Sequence, residues 1–433
     1  MNREKQFLNQ IDNNSGNCNR LIDSILGLIN QDSSLTSRKS FFTRFFRRAQ
    51  KSAYNIIDEN FVKIFNKMNN SGRQAFLGVL MKRGNYVEII VKNLDLVIET
   101  MTADKENIFN IKEFYDSILD YNIDFVEENL RRILEETKAP CFFTTISYFK
   151  AKRPCFESNV TGIINRQMNT RTKDIAISML SRAVQKFPAY LDEREIMSTN
   201  KDIEDYSTTL EIMIKELLAD QHKSPSDIVQ IGVGSSTNVY LIGNKVLKVG
   251  APKVRYNIPN HKRILQPLTR KNFTSRNGCP FVNVEITDYV STYIDQEAKR
   301  KVAISSLKED GKIENAENLS DDDILYLLYK EIRDSGILIT DFAWRNLGVL
   351  QKENTPTLHN QKIKVSPNSV GLYPPIENDT LEKGEIVYID LEHIYKEDDK
   401  NIKWPCNSKS QLFELRYQRE KNITQKIQDE MER

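Results

Sequence analysis

The apolar residues of this chain change their spacing near residue 220. Before that point they recur every three or four residues, the spacing that buries one face of a helix. After it, short apolar runs alternate with glycine, asparagine and proline, which indicates strands and turns as well as helices. We therefore predict an all-α domain over residues 1–220 and an α+β domain over residues 225–433, divided at residues 221–226.

The predicted helical domain is expected to work by binding. Its helical spacing is clearest at 21–29, 61–68, 86–101, 108–119, 125–134, 175–187 and 208–218. The first histidine of the chain is His222, so histidine-based nuclease, hydrolase or metal chemistry is excluded before that residue. We expect this domain to bind a protein substrate or a regulator.

Two basic stretches are candidate contact surfaces. In residues 38–51, four phenylalanines share one helical face and the basic residues lie away from it. This pattern fits a membrane surface or an anionic partner, but a core helix with a solvated basic face fits as well and is favoured. Residues 253–276 lack acidic side chains and could receive an acidic partner or nucleic acid, although any nucleotide site attracts basic residues. The net charge of +2 gives no general sign of nucleic-acid binding, and no specific nucleic acid is predicted.

Composition limits the cellular compartment and the kinds of cysteine site that are expected for this protein. No run of eighteen apolar residues occurs, and the first ten residues lack the apolar core of a signal peptide. The five cysteines are scattered and form no C-x-x-C pair, so neither a disulfide framework nor a structural zinc site is indicated. We expect a cytoplasmic protein, or one secreted without a cleaved signal peptide.

In the α+β domain, Asp341 and Asn346 lie five residues apart in a polar loop. Apolar runs at 337–339 and 347–350 flank this loop as short buried strands would. A helix is predicted just upstream, over 319–333, with Ser320 as its N-cap and Asp323 three residues later. A carboxylate can accept a proton from a hydroxyl group, and carboxylate and amide oxygens can both bind a metal ion.

A glycine-containing turn precedes the polar loop. Residues 231–240 would form a hairpin in which backbone amides approach phosphate oxygens without an intervening side chain. Lys248 follows on a strand-like run after a tight turn at residues 243–244. The phosphate-contacting candidates in the turn are Gly232, Gly234, Ser235, Ser236 and Thr237.

An acidic residue also ends a strand after the polar loop. The apolar run 385–389 delivers Asp390, whose carboxylate could contribute to a metal site. Glu392 could add another carboxylate to that site, although a solvated turn residue is the favoured interpretation.

Along the chain, the glycine turn with Lys248 comes first, the polar loop second and Asp390 third. In that order the three motifs resemble the protein-kinase-like superfamily over about residues 228–395, less than half of the chain. The resemblance implies a two-lobed kinase-like domain that uses ATP and Mg²⁺. It also implies that Asp341 is the catalytic base, that Lys248 holds the phosphates, and that Asn346 and Asp390 hold magnesium.

By the same resemblance, the strand 282–290 should lead to the segment that holds adenine, through backbone groups of Asp288 and Val290. The glutamate that normally pairs with the phosphate-binding lysine has no counterpart, because no acidic residue occurs between Val249 and Val284. That carboxylate is therefore missing, or it comes from elsewhere, such as Glu285 or the N-terminal part.

Other departures from an ordinary kinase concern regulation. Ile339 and Thr340 replace the usual His-Arg before the base, and Asp-Leu-Glu replaces the Asp-Phe-Gly triplet. Only 43 residues follow Asp390, too few for an activation segment and a full helical lobe. A C-lobe reduced in this way resembles the short effector kinases of pathogenic bacteria and other atypical bacterial kinases.

Residues 351–381 form a polar, proline-containing insertion between Asn346 and Asp390. Its lack of periodicity predicts a long loop or a partly ordered flap. A lid or substrate-docking loop and a solvated decoration are both compatible with that pattern.

The function that fits these motifs is ATP/Mg²⁺-dependent phosphoryl transfer, with protein hydroxyls as the expected acceptors. Two alternatives stay open. A pseudokinase scaffold would bind nucleotide or a partner without turnover, and a small-molecule kinase or nucleotidyl transferase would share the same motifs.

Overall fold

The computed structural model describes residues 3–13, 17–37, 52–103, 111–185, 193–233, 237–250, 260–274, 280–291, 296–350, 361–366, 369–373, 384–390, 393–397, 402, 404 and 409–431. The chain is an α+β protein that divides into two compact units, Met1–Arg166 and Gln167–Arg433. We call them the helical unit and the sheet unit. The sheet unit includes the last two helices before the sheet, whereas the sequence analysis drew its boundary at residues 221–226.

The described part of the helical unit consists of helices joined by short turns. Ser52, Asn69 and Asn122 cap three of them by accepting hydrogen bonds from backbone N–H groups of the first turn. The helices are α1 Arg3–Asn13, α2 Cys18–Ser37, α3 Ala53–Asn66, α4 Asn70–Met81, α5 Val87–Lys92, α6 Leu94–Ala103, α7 Ile111–Tyr121, α8 Ile123–Glu136, α9 Ala139–Lys152 and α10 Pro154–Arg166. The basic stretch 38–51 lies outside the described residues.

The helix predicted over 86–101 is divided into α5 and α6 at Asn93. The side-chain amide of Asn93 donates to the carbonyl of Ile89 at 2.8 Å, and its backbone N–H donates to Ile90 at 3.1 Å. Asparagine competes in this way with the regular helical ladder, which explains why apolar spacing alone did not show the break.

Aromatic residues form much of the core of the helical unit. The rings of Tyr115 and Phe149 lie 4.8 Å apart between centroids, and the ring of Tyr148 is next to both. The Tyr148 hydroxyl donates to Asp116 at 2.7 Å, and burial together with this bond raises the pKa of Tyr148. Such contacts join α7 and α9 into one packed layer.

The sheet unit begins with α11 Met168–Gln185 and α12 Glu193–Asp220, and continues into an antiparallel five-stranded sheet in the order β1-β2-β3-β5-β4. Helix α11 packs on β2, β3 and β5. The predicted turn at 243–244 is present, and Gly243 has a φ of +61°, which favours glycine. The strands are β1 Val229–Val233, β2 Thr237–Ile242, β3 Lys245–Gly250, β4 Thr269–Thr274 and β5 Pro280–Asp288.

The rest of the sheet unit contains helices and short paired strands. In order they are β6 Val290–Ser291, α13 Gln296–Glu309, α14 Asp321–Arg333, β7 Ile337–Ile339, β8 Leu347–Leu350, β9 Gln361–Ser366, β10 Ser369–Tyr373, β11 Glu385–Tyr388, β12 Ile394–Lys396 and α15 Lys409–Met431. Strand β8 lies between β11 and β6, and β12 pairs with β7. Helix α14 begins with the predicted capping box of Ser320 and Asp323, which is therefore confirmed.

The segment that precedes β4 ties the five-stranded sheet to β11. Tyr388 N–H donates to the carbonyl of Arg263 at 2.7 Å, and Leu265 N–H donates to the carbonyl of Tyr388 at 3.0 Å. The buried guanidinium of Arg263 also pairs with Asp310 and, at 3.1 Å, with Glu331. This segment is thus fixed to β11, α13 and α14.

Part of the predicted insertion has regular structure. Strands β9 and β10 pair as an antiparallel hairpin inside residues 351–381, for which the sequence predicted a long loop or a partly ordered flap. The remainder of the insertion lies outside the described residues. Among the helices described, none combines the length and the apolar character needed to cross a bilayer.

Candidate active site

The loop after β7 folds the side chain of Asn346 back onto Asp341. The Asn346 amide nitrogen donates to the backbone carbonyl of Asp341 at 2.8 Å and to its Oδ2 at 3.0 Å. The five-residue spacing read from the sequence therefore closes a turn that places amide and carboxylate together. The Asp341 side chain is 14 % exposed, so its charge is only partly screened by water.

Arg345 covers the carboxylate of Asp341. Its Nη2 lies 2.6 Å from Oδ1 and 2.8 Å from Oδ2. The arginine side chain is 69 % exposed, and ion pairs with such exposure contribute at most about 1 kcal/mol. Because this ion pair is weak, a cation that binds the Asp341 carboxylate more tightly can displace the guanidinium.

Strand β11 and helix α15 hold the loop from behind. Ile389 N–H donates to the carbonyl of Asn346 at 3.0 Å, and the Tyr388 hydroxyl donates to the carbonyl of Asp341 at 3.3 Å. The buried ring of Phe342 stacks on Tyr388, and the Phe342 N–H donates to the hydroxyl of Ser410. These contacts fix the backbone on both sides of the carboxylate.

Lys299 lies beneath the same loop, and the sequence analysis did not identify it. Its ammonium donates to the backbone carbonyl of Trp344 at 3.0 Å, and the residue is 4 % exposed. Burial lowers the pKa of Lys299 to about 8. No local sequence pattern distinguishes this lysine from the others of α13, because its burial depends on the packing of α13 under the loop.

Asp390 follows β11 and faces the loop together with His393. One ligand atom each of Asp341, Asp390 and His393 lies within 4.8 Å of the other two. His393 Nε2 is 3.9 Å from Asp390 Oδ2, and all three side chains are partly buried. The sequence predicted both aspartates but missed His393, although it is one of only four histidines and follows Asp390 by three residues.

Lys248 lies on the five-stranded sheet directly opposite Glu285 of the neighbouring strand. Glu285 also lies opposite Arg270, and Arg270 Nε is 2.9 Å from Glu285 Oε1. Directly opposed residues of antiparallel strands share one face, so the three side chains form a row across β3, β5 and β4. The Glu285 side chain is fully buried and that of Arg270 is 12 % exposed.

The glycine turn is described only in part. Gly232 lies opposite Val239 in the β1–β2 pair, and Thr237 begins β2. The other three phosphate candidates, Gly234, Ser235 and Ser236, lie outside the described residues, as does Glu392.

The two predicted adenine-binding positions lie where the five-stranded sheet joins β6. Asp288 ends β5, and its carboxylate accepts a hydrogen bond from Lys245 at 2.6 Å. Tyr289 N–H donates to the carbonyl of Asn244 at 2.9 Å, and Val290 is buried opposite Leu350 of β8.

The second basic stretch is partly neutralised within the fold. Lys262 pairs with Asp310 at 2.6 Å and with Glu331 at 3.0 Å, and Arg263 pairs with the same two carboxylates. Residues 251–259 and 275–279 lie outside the described chain, so the acidic partner proposed for 253–276 stays a prediction.

Neither a family model, nor a curated protein, nor a solved structure matches this chain.

Proposed function

We propose that the chain is an ATP- and divalent-metal-dependent phosphotransferase, a protein kinase of atypical bacterial type. The observation that carries this proposal is the convergence of Asp341, Asn346 and Asp390 from a loop and a separate strand, with Asn346 bonded to the Asp341 carboxylate at 3.0 Å. Phosphoryl transfer needs such a set, because catalysis consists of positioning the nucleophile and neutralising the phosphate charge.

In this mechanism Asp341 is the base. Its carboxylate accepts the proton of an acceptor hydroxyl once Arg345 moves aside, and the rigid backbone behind it keeps the carboxylate aimed. Asn346 and Asp390 would hold the metal ion that neutralises the phosphate oxygens.

The sheet supplies the other half of the proposed site. The glycine turn joins the first two strands and Lys248 lies on the third, the arrangement that protein kinases use to cover and hold the phosphates of ATP. Asp288 and Val290 would receive adenine, and the helical unit would bind a protein substrate or a regulator.

A pseudokinase scaffold is the second candidate, favoured by one observation. Both oxygens of the Asp341 carboxylate accept from Arg345, and Oδ2 also accepts from Asn346. A carboxylate held in this way has few lone pairs left for an acceptor proton. In a scaffold this ion pair would be permanent.

Intact-protein mass spectrometry after incubation with ATP and a divalent metal ion tests the proposal. The wild type is expected to gain one phosphoryl group, or to transfer it to an added protein acceptor. D341N preserves the size of the side chain but removes its basicity, and it should slow transfer by about 10²- to 10⁴-fold.

The matched control is D429N, which changes an exposed aspartate of α15 that accepts a hydrogen bond from Gln425, four residues earlier in the same helix. Its transfer rate should equal that of the wild type. Nucleotide binding without any transfer would favour the scaffold, a gain of one AMP would indicate nucleotidyl transfer, and full activity in D341N would remove Asp341 as the base.

A further inference from the structure

His393 gives the proposed metal site a nitrogen donor. We propose that Asp390 and His393, with one carboxylate oxygen of Asp341, bind a divalent transition-metal ion and prefer Mn²⁺ to Mg²⁺. The role of this ion in phosphoryl transfer rests on the proposed function. The ligand set itself follows from the positions of the three side chains.

The three ligand atoms are close enough for a single ion. An ion about 2.1 Å from each ligand spans donor atoms up to about 4.2 Å apart. The 3.9 Å between His393 Nε2 and Asp390 Oδ2 falls within that span, and all three atoms lie within 4.8 Å of one another. Small side-chain rotations therefore complete the site without movement of the backbone.

Thr340 orients the imidazole of His393 toward the aspartates. The threonine Oγ1 is 3.4 Å from His393 Nδ1, and the Thr340 N–H donates to the backbone carbonyl of His393 at 2.9 Å. When Nδ1–H donates to the threonine oxygen, Nε2 keeps its lone pair and faces Asp390. Metal-binding histidines are commonly fixed in this way, by a hydrogen bond from the second ring nitrogen.

The donor set decides which ion fits. Magnesium binds oxygen ligands and keeps most of its water, whereas an imidazole nitrogen favours transition metals. Two carboxylates and one imidazole form a mixed site, which suits Mn²⁺ because this ion accepts both oxygen and nitrogen donors. The remaining coordination positions would be available to the amide oxygen of Asn346, to water or to phosphate oxygens.

Arg345 competes with the ion for Asp341. The guanidinium and the metal ion are both cations directed at one carboxylate, so binding of one weakens the other. A carboxylate has two oxygens, and Asp341 can therefore direct one at the ion and the other at an acceptor hydroxyl.

The test is Mn²⁺ binding to the full-length protein in the absence of nucleotide, measured by the electron paramagnetic resonance signal of free Mn²⁺. The wild type should bind one Mn²⁺ at least about tenfold more tightly than Mg²⁺, as judged by competition. H393A should lose at least about tenfold in Mn²⁺ affinity and much less in Mg²⁺ affinity.

Two further variants separate ligand loss from damage to the fold. H222N changes an exposed histidine whose positive φ of 49° asparagine tolerates, and it should bind Mn²⁺ as the wild type does. R345Q removes the competing cation and should bind Mn²⁺ several-fold more tightly, a gain that misfolding cannot produce. Unchanged affinity in R345Q would remove Asp341 from the ligand set.

Spin-echo modulation from a coordinated imidazole nitrogen should appear in wild type and H222N and vanish in H393A. Absence of Mn²⁺ binding in the wild type, or wild-type binding and modulation in H393A, overturns the metal site. Because nucleotide is absent, failure of ATP binding or transfer would reject the proposed function while leaving this result intact.

Discussion

Two cations contact the loop around Asp341 in opposite settings. Arg345 is exposed and bonded to a carboxylate, whereas Lys299 is 4 % exposed and donates to the neutral carbonyl of Trp344. A buried ammonium loses its hydration, and a single carbonyl replaces only part of it. Burial of the charged Lys299 side chain therefore lowers the free energy of unfolding, while its hydrogen bond to Trp344 holds the loop in place.

The pH dependence of stability should report this burial. The pKa of Lys299 is about 8 in the folded chain against 10.5 for an ordinary lysine. Between these values the unfolded chain binds a proton that the folded chain does not, so stability rises with pH across this window. The rise due to Lys299 is expected to reach up to about 3 kcal/mol.

Urea unfolding of wild type and K299M at about pH 7 and about pH 10 measures this effect, because other titrating groups cancel in the difference. K299M should be the more stable protein at pH 7 and should lose that advantage at pH 10. The matched control K301M changes an exposed lysine of the same helix and should follow the wild type. Equal pH slopes in K299M and wild type would contradict the burial of this charge.

At the scale of secondary-structure elements, the row of Lys248, Glu285 and Arg270 explains how charge is accommodated in the five-stranded sheet. Alternation along β5 directs Glu285 to one face, and the strand register places a basic residue on each side of it. The carboxylate expected on a helix in ordinary kinases thus has a candidate substitute within the sheet itself. That placement depends on register rather than on movement of a helix.

Removing the charge of Glu285, the central residue of this row, should destabilise the folded protein. E285Q leaves Arg270 buried without its carboxylate, which should lower the free energy of unfolding by about 3 kcal/mol. The double variant R270M/E285M removes both charges and should lie within about 1 kcal/mol of wild type. Denaturant unfolding measures both, and an E285Q protein as stable as wild type would show that the pair contributes nothing.

The sequence predicted the elements that local rules determine. The capping box at Ser320, the turn at Gly243 and the strands around Asp341 follow from contacts within a few residues, and they are present. The division at Asn93 and the β9–β10 hairpin were missed, because side-chain competition with the backbone and strand pairing leave no clear periodic signal.

The residues of the candidate site also fall into those that local sequence patterns predicted and those that they did not. Asp341 and Asn346 were predicted from their local five-residue spacing, and Asp390 from its position at the end of an apolar run. Lys299 was not predicted because its burial depends on a loop distant in sequence, whereas His393 lies three residues from Asp390 and could have been named from that spacing. A buried residue such as Lys299 is recognised only once the packing of α13 is known.

At the scale of the whole molecule, two compact units should respond separately to damage in one of them. The buried guanidinium of Arg263 pairs with Asp310 and Glu331 inside the sheet unit. R263M removes a positive charge that neutralises these two carboxylates. It should therefore lower the free energy of unfolding of that unit by about 3 kcal/mol.

Hydrogen exchange followed by mass spectrometry locates the effect. In R263M, peptides from residues 167–433 should exchange faster and those from 3–166 should not change. The control K409M removes an exposed pair with Asp322 and should cost less than about 1 kcal/mol. Equal loss of protection in both ranges would show that the units unfold together.

Among the described residues, two neighbouring paths connect the five-stranded sheet to the β8–β11 layer. One is covalent, through β5 into β6, and the other is the backbone pairing of Arg263 and Leu265 with Tyr388. A body attached at two points turns about the line that joins them and resists sliding or twisting across it. Relative motion of Lys248 on the sheet and Asp390 just after β11 is therefore expected to be mainly a rotation about this line.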